Sequence, residues 1–274
     1  MRRIKYEFEN CLKRSEIHFT FNFLVILSLL GFCMECFAIY GGKMSSVRSS
    51  AESSMIQGTY SISILMMILI LFPIISGVVF SDSLYTEYNS GVYKNILTKI
   101  HKKTYVLSKA VVVFFTTFLV VLIPLVLNQL LCFMFFPSEG FDNKYSLPPF
   151  DIGVQNFHKE YLFDFIRIQS PQLYIFVQIF VISLFASAIS ILTFSVYFFF
   201  LDKNRIVGVI VVFGLYVSSI IVFNVVGLTG YSLYDQLSPE HIGSFTVMII
   251  WFLFILILSL ILTIISGIKK EWEI

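Results

Sequence analysis

Long apolar runs constrain this chain more than any other feature. A helix crosses the hydrocarbon core with about 20 predominantly apolar residues. Six such runs fall at about 19–40, 60–80, 105–136, 173–201, 206–228 and 245–268. Only 13% of the residues are charged and 57% are hydrophobic, whereas a soluble domain is about 25% charged. The pattern predicts an all-α integral membrane protein with six transmembrane helices, a single transmembrane domain over 1–274. The third run is too long for one perpendicular crossing, so it tilts or starts outside the bilayer. Pro124 is placed to kink it, because proline removes a backbone donor.

Charge placement sets the expected orientation. Most of the 19 Lys and Arg fall on one side: the N-terminal tail, the second and fourth connections and the C-terminus. By the positive-inside rule that side is cytoplasmic, so both termini are expected in the cytoplasm of a multi-pass cell-membrane protein. The first run is longer than the apolar core of a signal peptide and has no A-x-A site after it, so it is read as a retained span.

The N-terminal tail places Ile4, Phe8, Cys11 and Leu12 at helical spacing among charges, which predicts an interface helix over about 3–15. GGKMSSVRSSAESS, after the first span, reads as a flexible outer loop. Its Gly42-Lys43 lacks the rest of a phosphate-binding loop, and no other segment supplies one. The longest outer segment, 137–171, is aromatic-rich and includes the amphipathic YLFDFIRI at 161–168. It is a candidate gate or partner site.

Ionisable groups inside spans are costly and usually functional. Glu35 is the clearest instance, and Ser183, Ser187, Ser190 and Asn224 are further candidates for a pathway. The serines belong to a small-residue stripe that serves equally for close helix packing. Cys33-x-x-Cys36 lies in an apolar helix without the polar surroundings or further ligands of a metal or redox site, so no metal is expected. His18, His101, His158 and His241 are all peripheral, which argues against an intramembrane hydrolase. Neither midplane charge nor broken helices point to an ion-coupled carrier.

Between the second and third spans, EYNSGVYKNILTKIHKKTYVLSKA is basic and too polar to enter a bilayer. Val92, Tyr93, Ile96, Leu97 and Ile100 share one helical arc, while Lys94, Thr98, Lys99, His101 and Lys102 fall outside it. Such a helix either lies on lipid, its lysines meeting anionic headgroups, or docks into another protein.

Glu87, then Gly91, the 92–100 helix, the pair Lys102-Lys103 and Lys109 opening the next span resemble the permeases of type-two ABC exporters. The resemblance implies that 90–102 is a coupling helix, with Glu87 and Gly91 shaping its start and Val92, Tyr93, Ile96, Leu97 and Ile100 docking on a separate P-loop ATPase. It further implies two ATPase copies that bind ATP and magnesium, a second permease chain, identical or related, no cofactor or catalysis in this chain, and no nucleic-acid partner. The long outer segment departs from the common family pattern, in which re-entrant outer helices lie between the fifth and sixth spans. The expected cargo is a peptide, bacteriocin or other amphipathic or hydrophobic compound. A non-transporting scaffold or sensor subunit is the alternative, and a secondary carrier a third.

Overall fold

The computed structural model describes residues 2–42, 47–138, 160–201, 204–239 and 241–269. The helices are α1 (Arg2–Leu12), α2 (Ser15–Ile39), α3 (Ile62–Ile70), α4 (Phe72–Val78), α5 (Ser83–Asn89) and α6 (Val92–Leu97). There follow α7 (Lys102–Phe135), α8 (Asp164–Gln169), α9 (Pro171–Tyr197), α10 (Val207–Val225), α11 (Leu233–Leu237) and α12 (Phe245–Leu262), which continues as a π-helical stretch over Thr263–Lys269. Among the described residues, five helices are long and apolar enough to cross a membrane: α2, α7, α9, α10 and α12 with its extension. Pro124 remains inside an unbroken α7.

The apolar run at 60–80 forms two short helices, α3 and α4, that meet at Leu71. Pro73 in the first turn of α4 explains the break. It has no N–H to continue the ladder, and its ring crowds the carbonyl one turn earlier. The interface helix ends at Leu12, and α2 begins at Ser15, before the apolar run itself.

α9 forms the centre, with 67% of its most apolar window buried against 22% for α10 and for α12. It touches α4, α7, α10 and α12, and α2 packs on α7. The small-residue stripe makes these approaches possible: Ser190 accepts a hydrogen bond from Thr117 of α7 at 3.0 Å. A Cβ on Gly77 of α4 would lie 3.3 Å from Thr193. Small faces bring membrane helices together in this way.

The bundle has a near end, which carries α1, α5 and α6, and a far end. The stretch after α2 departs from the sequence expectation. Residues 43–46 lie outside the described part, but 49–56 are buried non-helical backbone, not a surface loop. Asn128 of α7 holds this segment in place: its Oδ1 accepts from Met55 N and its Nδ2 donates to Ser28 O, each at 2.9 Å. Ser28 lies 11 residues before the end of α2, so the segment reaches about 16 Å down that helix at 1.5 Å per residue. Irregular backbone at such depth is tolerated only where protein satisfies it. Cys132 therefore donates to Ser53 O at 3.2 Å, and Gln129 to Ser50 O at 3.4 Å.

A second buried segment closes the far end. α11 lies between α10 and α12, and Gln178 of α9 donates to Leu237 O at 2.9 Å. Over it runs the chain that leads into α8, through a bridge between Tyr161 and Ile242 and a Gly243 N–H to Glu160 O bond of 2.9 Å. Thus 161–168 is half helix and packs on its own chain; residues 139–159 of the long outer segment lie outside the described residues.

Gly58 tests the depth of the first segment. A Cβ there would collide with Glu35 Oε1 and stand 2.7 Å from Ser54 O. Gly58→Ala is therefore expected to cost about 1–3 kcal/mol, read as a lower thermal midpoint of the purified protein.

Candidate functional site

The basic stretch singled out in the sequence is held by two groups of charges at the near end. In the first, Lys109 of α7 is fully buried. Its Nζ donates to Glu87 Oε1 of α5 at 2.8 Å and to Glu7 Oε2 of α1 at 3.0 Å. Arg3, one turn before Glu7, pairs with that carboxylate, and the Tyr105 hydroxyl donates to Glu87. Lys109 Nζ also lies 5.4 Å from the centre of the Tyr105 ring and 5.6 Å from that of Phe80. Two carboxylates thus meet two cations, and the aromatic faces add cation–π attraction.

Helical spacing builds this group. Tyr105 and Lys109 are four apart and share a face of α7, while Arg3, Glu7 and Cys11 step along one face of α1. That polar face of α1 turns inward, and Ile4 and Leu12 stay exposed. Cys11 packs against α7, its thiol donating to Thr116 at 3.4 Å. Burial pushes that thiol up to about 11 from its ordinary 9.0, although the Thr116 hydrogen bond works the other way.

The second group surrounds Asp82, just before α5. Arg14, between α1 and α2, donates to Asp82 Oδ1 at 2.8 Å. Arg205, after α9, pairs with both Asp82 and Glu16 of α2. α5 is therefore pinned at its start by Asp82 and near its end by Glu87.

Beyond α5 the chain turns at Gly91, whose φ of 71° is in the left-handed region that glycine adopts without strain. α6 then spans only Val92–Leu97, shorter than the expected 90–102 helix. The apolar arc is largely spent on the chain itself: Tyr93 is buried and stacks on Tyr88 with ring centres 4.8 Å apart. Ile96 and Leu97 pack half-buried on the core. Ile100 is half-buried beyond the helix. What faces outward is Val92, 47% exposed, with Lys94, Lys99, His101 and Lys103. Glu87 turns inward to Lys109 instead of toward α6.

The pathway candidates do not converge. Ser183 and Ser187 donate to carbonyls of their own helix, Ser190 joins the α7–α9 contact, and Asn224 is exposed on α10. Glu35 is buried and caps the start of α3: its Oε1 accepts from Tyr60 N, Ser61 N and Ser61 Oγ at 2.9, 2.8 and 2.8 Å. Glu7, Asp82, Arg14 and Arg205 escaped the sequence reading, which took the basic residues for topology signals. The Arg3-x-x-x-Glu7 spacing was the available clue for the first.

No protein-family profile, curated protein or solved structure matches this chain. Fold and composition define the class: the described residues are helical, with five helices of membrane-crossing length.

Removing the lysine charge leaves Glu7 with Arg3 and deprives Glu87 of its lysine partner. Lys109→Met is expected to destabilise the protein by about 3–5 kcal/mol, and Lys109→Met with Glu87→Gln to recover most of that loss. Denaturant titration of purified variants measures both. For Cys11 the unfolded thiol deprotonates before the folded one, so stability falls as pH rises from 9.0 to about 11. Cys11→Ser is expected to lack that part of the decline in pH-dependent thermal melts.

Proposed function

We propose that this chain is the membrane-spanning permease subunit of an ATP-driven ABC exporter that moves a peptide, bacteriocin or other amphipathic or hydrophobic compound out of the cell. The observation that supports this best is the buried Glu7–Lys109–Glu87 bridge beside an exposed basic helix. In this reading the near end is cytoplasmic, with both termini, and α3 and α4 together form the sixth, broken crossing. α6 is the coupling helix, seated on a separate P-loop ATPase that binds and hydrolyses ATP with magnesium. A second permease chain, identical or related, completes the transporter. The buried far-end segment around α11, between the last two spans, supports the family resemblance, since members place re-entrant elements there.

In this reading ATP-driven closure of the ATPase pushes on α6, and the bridge gives that push a route. Movement of α6 reaches α5 across Gly91, then α7 and α1 together through Lys109. α7 packs along α2 and α9, so displacement at the near end is carried to helices that run the length of the bundle.

The docking residues follow from exposure. Ile96 and Leu97 support the chain's own core, so acids there would disturb the fold as well as any interface. Val92, Lys94 and Lys99 are free of that objection because they are exposed. A Val92→Asp, Lys94→Glu, Lys99→Glu variant is expected to insert and melt like wild type. It should retain an ATPase partner from its own host roughly tenfold less well, as for loss of central interface contacts. Undiminished co-purification of the ATPase with this variant would remove α6 as the docking element. Recovery of wild type without any ATPase, after crosslinking in the presence of ATP, would remove the transporter reading itself.

A further inference from the structure

Three helices leave a groove between them at the near end, and helical spacing builds its walls. Phe8 and Leu12 of α1 are about one turn apart. Ile17, His18 and Phe21 belong to the first two turns of α2. Thr116, Leu119, Val120 and Ile123 follow the i, i+3, i+4, i+7 pattern of one face of α7. Ile17, Thr116 and Val120 are buried and form the floor, while Leu12, Leu119 and Ile123 are exposed along the rim. The Thr116 hydroxyl accepts from Cys11, and His18 Nε2 is hydrogen-bonded to Leu12 O at 2.8 Å. What the groove offers an occupant is therefore almost wholly apolar.

Size decides between occupants. The groove encloses about 250 Å³. Thr116 and Ile123 are about two turns apart, roughly 10 Å, so the mean cross-section is roughly 25 Å². An α-helix with its side chains is about 10 Å across, roughly 80 Å² in section. The groove is too narrow for a partner helix and suits one extended hydrocarbon chain. Its position agrees. His18 comes just before the apolar run that begins at about 19, so the groove opens at the water boundary and leads into the apolar zone. Phe19 and Phe115, both exposed, continue the apolar surface on either side.

Charge at the mouth selects among lipids. Glu7 and Glu16 are spent on Lys109, Arg3 and Arg205, and Arg14 is spent on Asp82. Lys5, Glu9 and Lys13 stay exposed, and among the described residues neither lysine forms an ion pair. Lys13 directly follows Leu12 of the rim, and Lys5 lines a shallow hollow with Ile4, Phe8 and Glu9. Two lysines outweigh one glutamate, so the mouth is positive. The lysines lie roughly 12 Å apart along α1. A phosphate seated above Phe8 and Leu12 is then within one Debye length, about 8–10 Å, of both.

We propose that this groove holds one acyl chain of an anionic diacyl phospholipid, whose headgroup sits at the α1–α2 turn in the field of Lys5 and Lys13. α1 is then held on one face by the bridge at Glu7 and along Phe8 and Leu12 by the lipid, which joins it to α2 and α7. This site is independent of the coupling role assigned to α6.

Native mass spectrometry of the delipidated full chain in detergent, titrated with dioleoylphosphatidylglycerol or dioleoylphosphatidylcholine, tests the proposal, together with thermal melts in the same mixtures. Wild type is expected to retain one phosphatidylglycerol molecule, to prefer it to phosphatidylcholine, and to melt at a higher midpoint as the site fills. Lys5→Gln with Lys13→Gln changes only exposed side chains. It is expected to weaken phosphatidylglycerol binding roughly fivefold for each lysine and to leave phosphatidylcholine binding unchanged. Leu119→Trp fills the groove from its rim and is expected to weaken both lipids roughly tenfold, as for exclusion of about two methylene groups. Ile123→Trp serves in its place if that variant does not fold, and the lysine pair decides the matter if neither does. Equal affinity of wild type for the two lipids would overturn the site and leave an ordinary lipid coat. A preference that survives loss of both lysines, or phosphatidylglycerol binding unchanged in a folded tryptophan variant, would equally overturn it.

Discussion

Lys109 is the constraint on which the near end depends. An ammonium group with no exposure to solvent must find carboxylates, and its partners come from two other elements, Glu7 of α1 and Glu87 of α5. Taking these charges out of water costs several kcal/mol per ion, so the bridge is a poor source of net stability compared with an apolar core. Its consequence is positional. α1 has to present a polar face inward and leave Ile4 and Leu12 outside, and α5 has to end where Glu87 meets Tyr105 and Lys109. The Asp82 group repeats this at the other end of α5, where Arg14 and Arg205 converge from distant parts of the chain. A helix of 7 residues could not hold its place by its own propensity. Held at both ends, it carries α6 as a fixed projection.

The far end is organised by the opposite means. There neutral polar groups satisfy irregular backbone: Asn128, Gln129 and Cys132 of α7 all serve the segment between α2 and α3. Lysine and arginine bridges between distant elements thus hold the near end, whereas amide and thiol groups of α7, with the Glu35 carboxylate at the start of α3, hold the backbone that folds in after α2.

The helical class and the five long helices were legible because each rests on an uninterrupted apolar run. The run at 60–80 was misleading in composition alone: hydropathy does not register that Pro73 divides it. The segment at 49–58 was illegible for a related reason. SSAESSMIQG has the composition of a surface loop, and only the position of Asn128 and Gln129 on α7 makes burial affordable. Between α5 and α7, periodicity grouped Tyr93, Ile96 and Leu97 on one face, and all three pack inward. It could not say whether that face meets a partner or the chain itself, since both remove apolar surface from water. Glu7 was hidden because a charged residue on an amphipathic helix normally marks its solvent side, whereas here the partner is a lysine 102 positions away.

The central claim is that the Lys109 bridge makes α1, α6 and α7 move as one body. Spin labels at the exposed positions Lys5 and Lys99, in purified protein reconstituted in lipid, measure it by pulsed electron resonance. The account predicts a single narrow distance distribution in wild type that broadens markedly in Lys109→Met while the fold is retained. Equal distributions in the two proteins, whether both narrow or both broad, would contradict it.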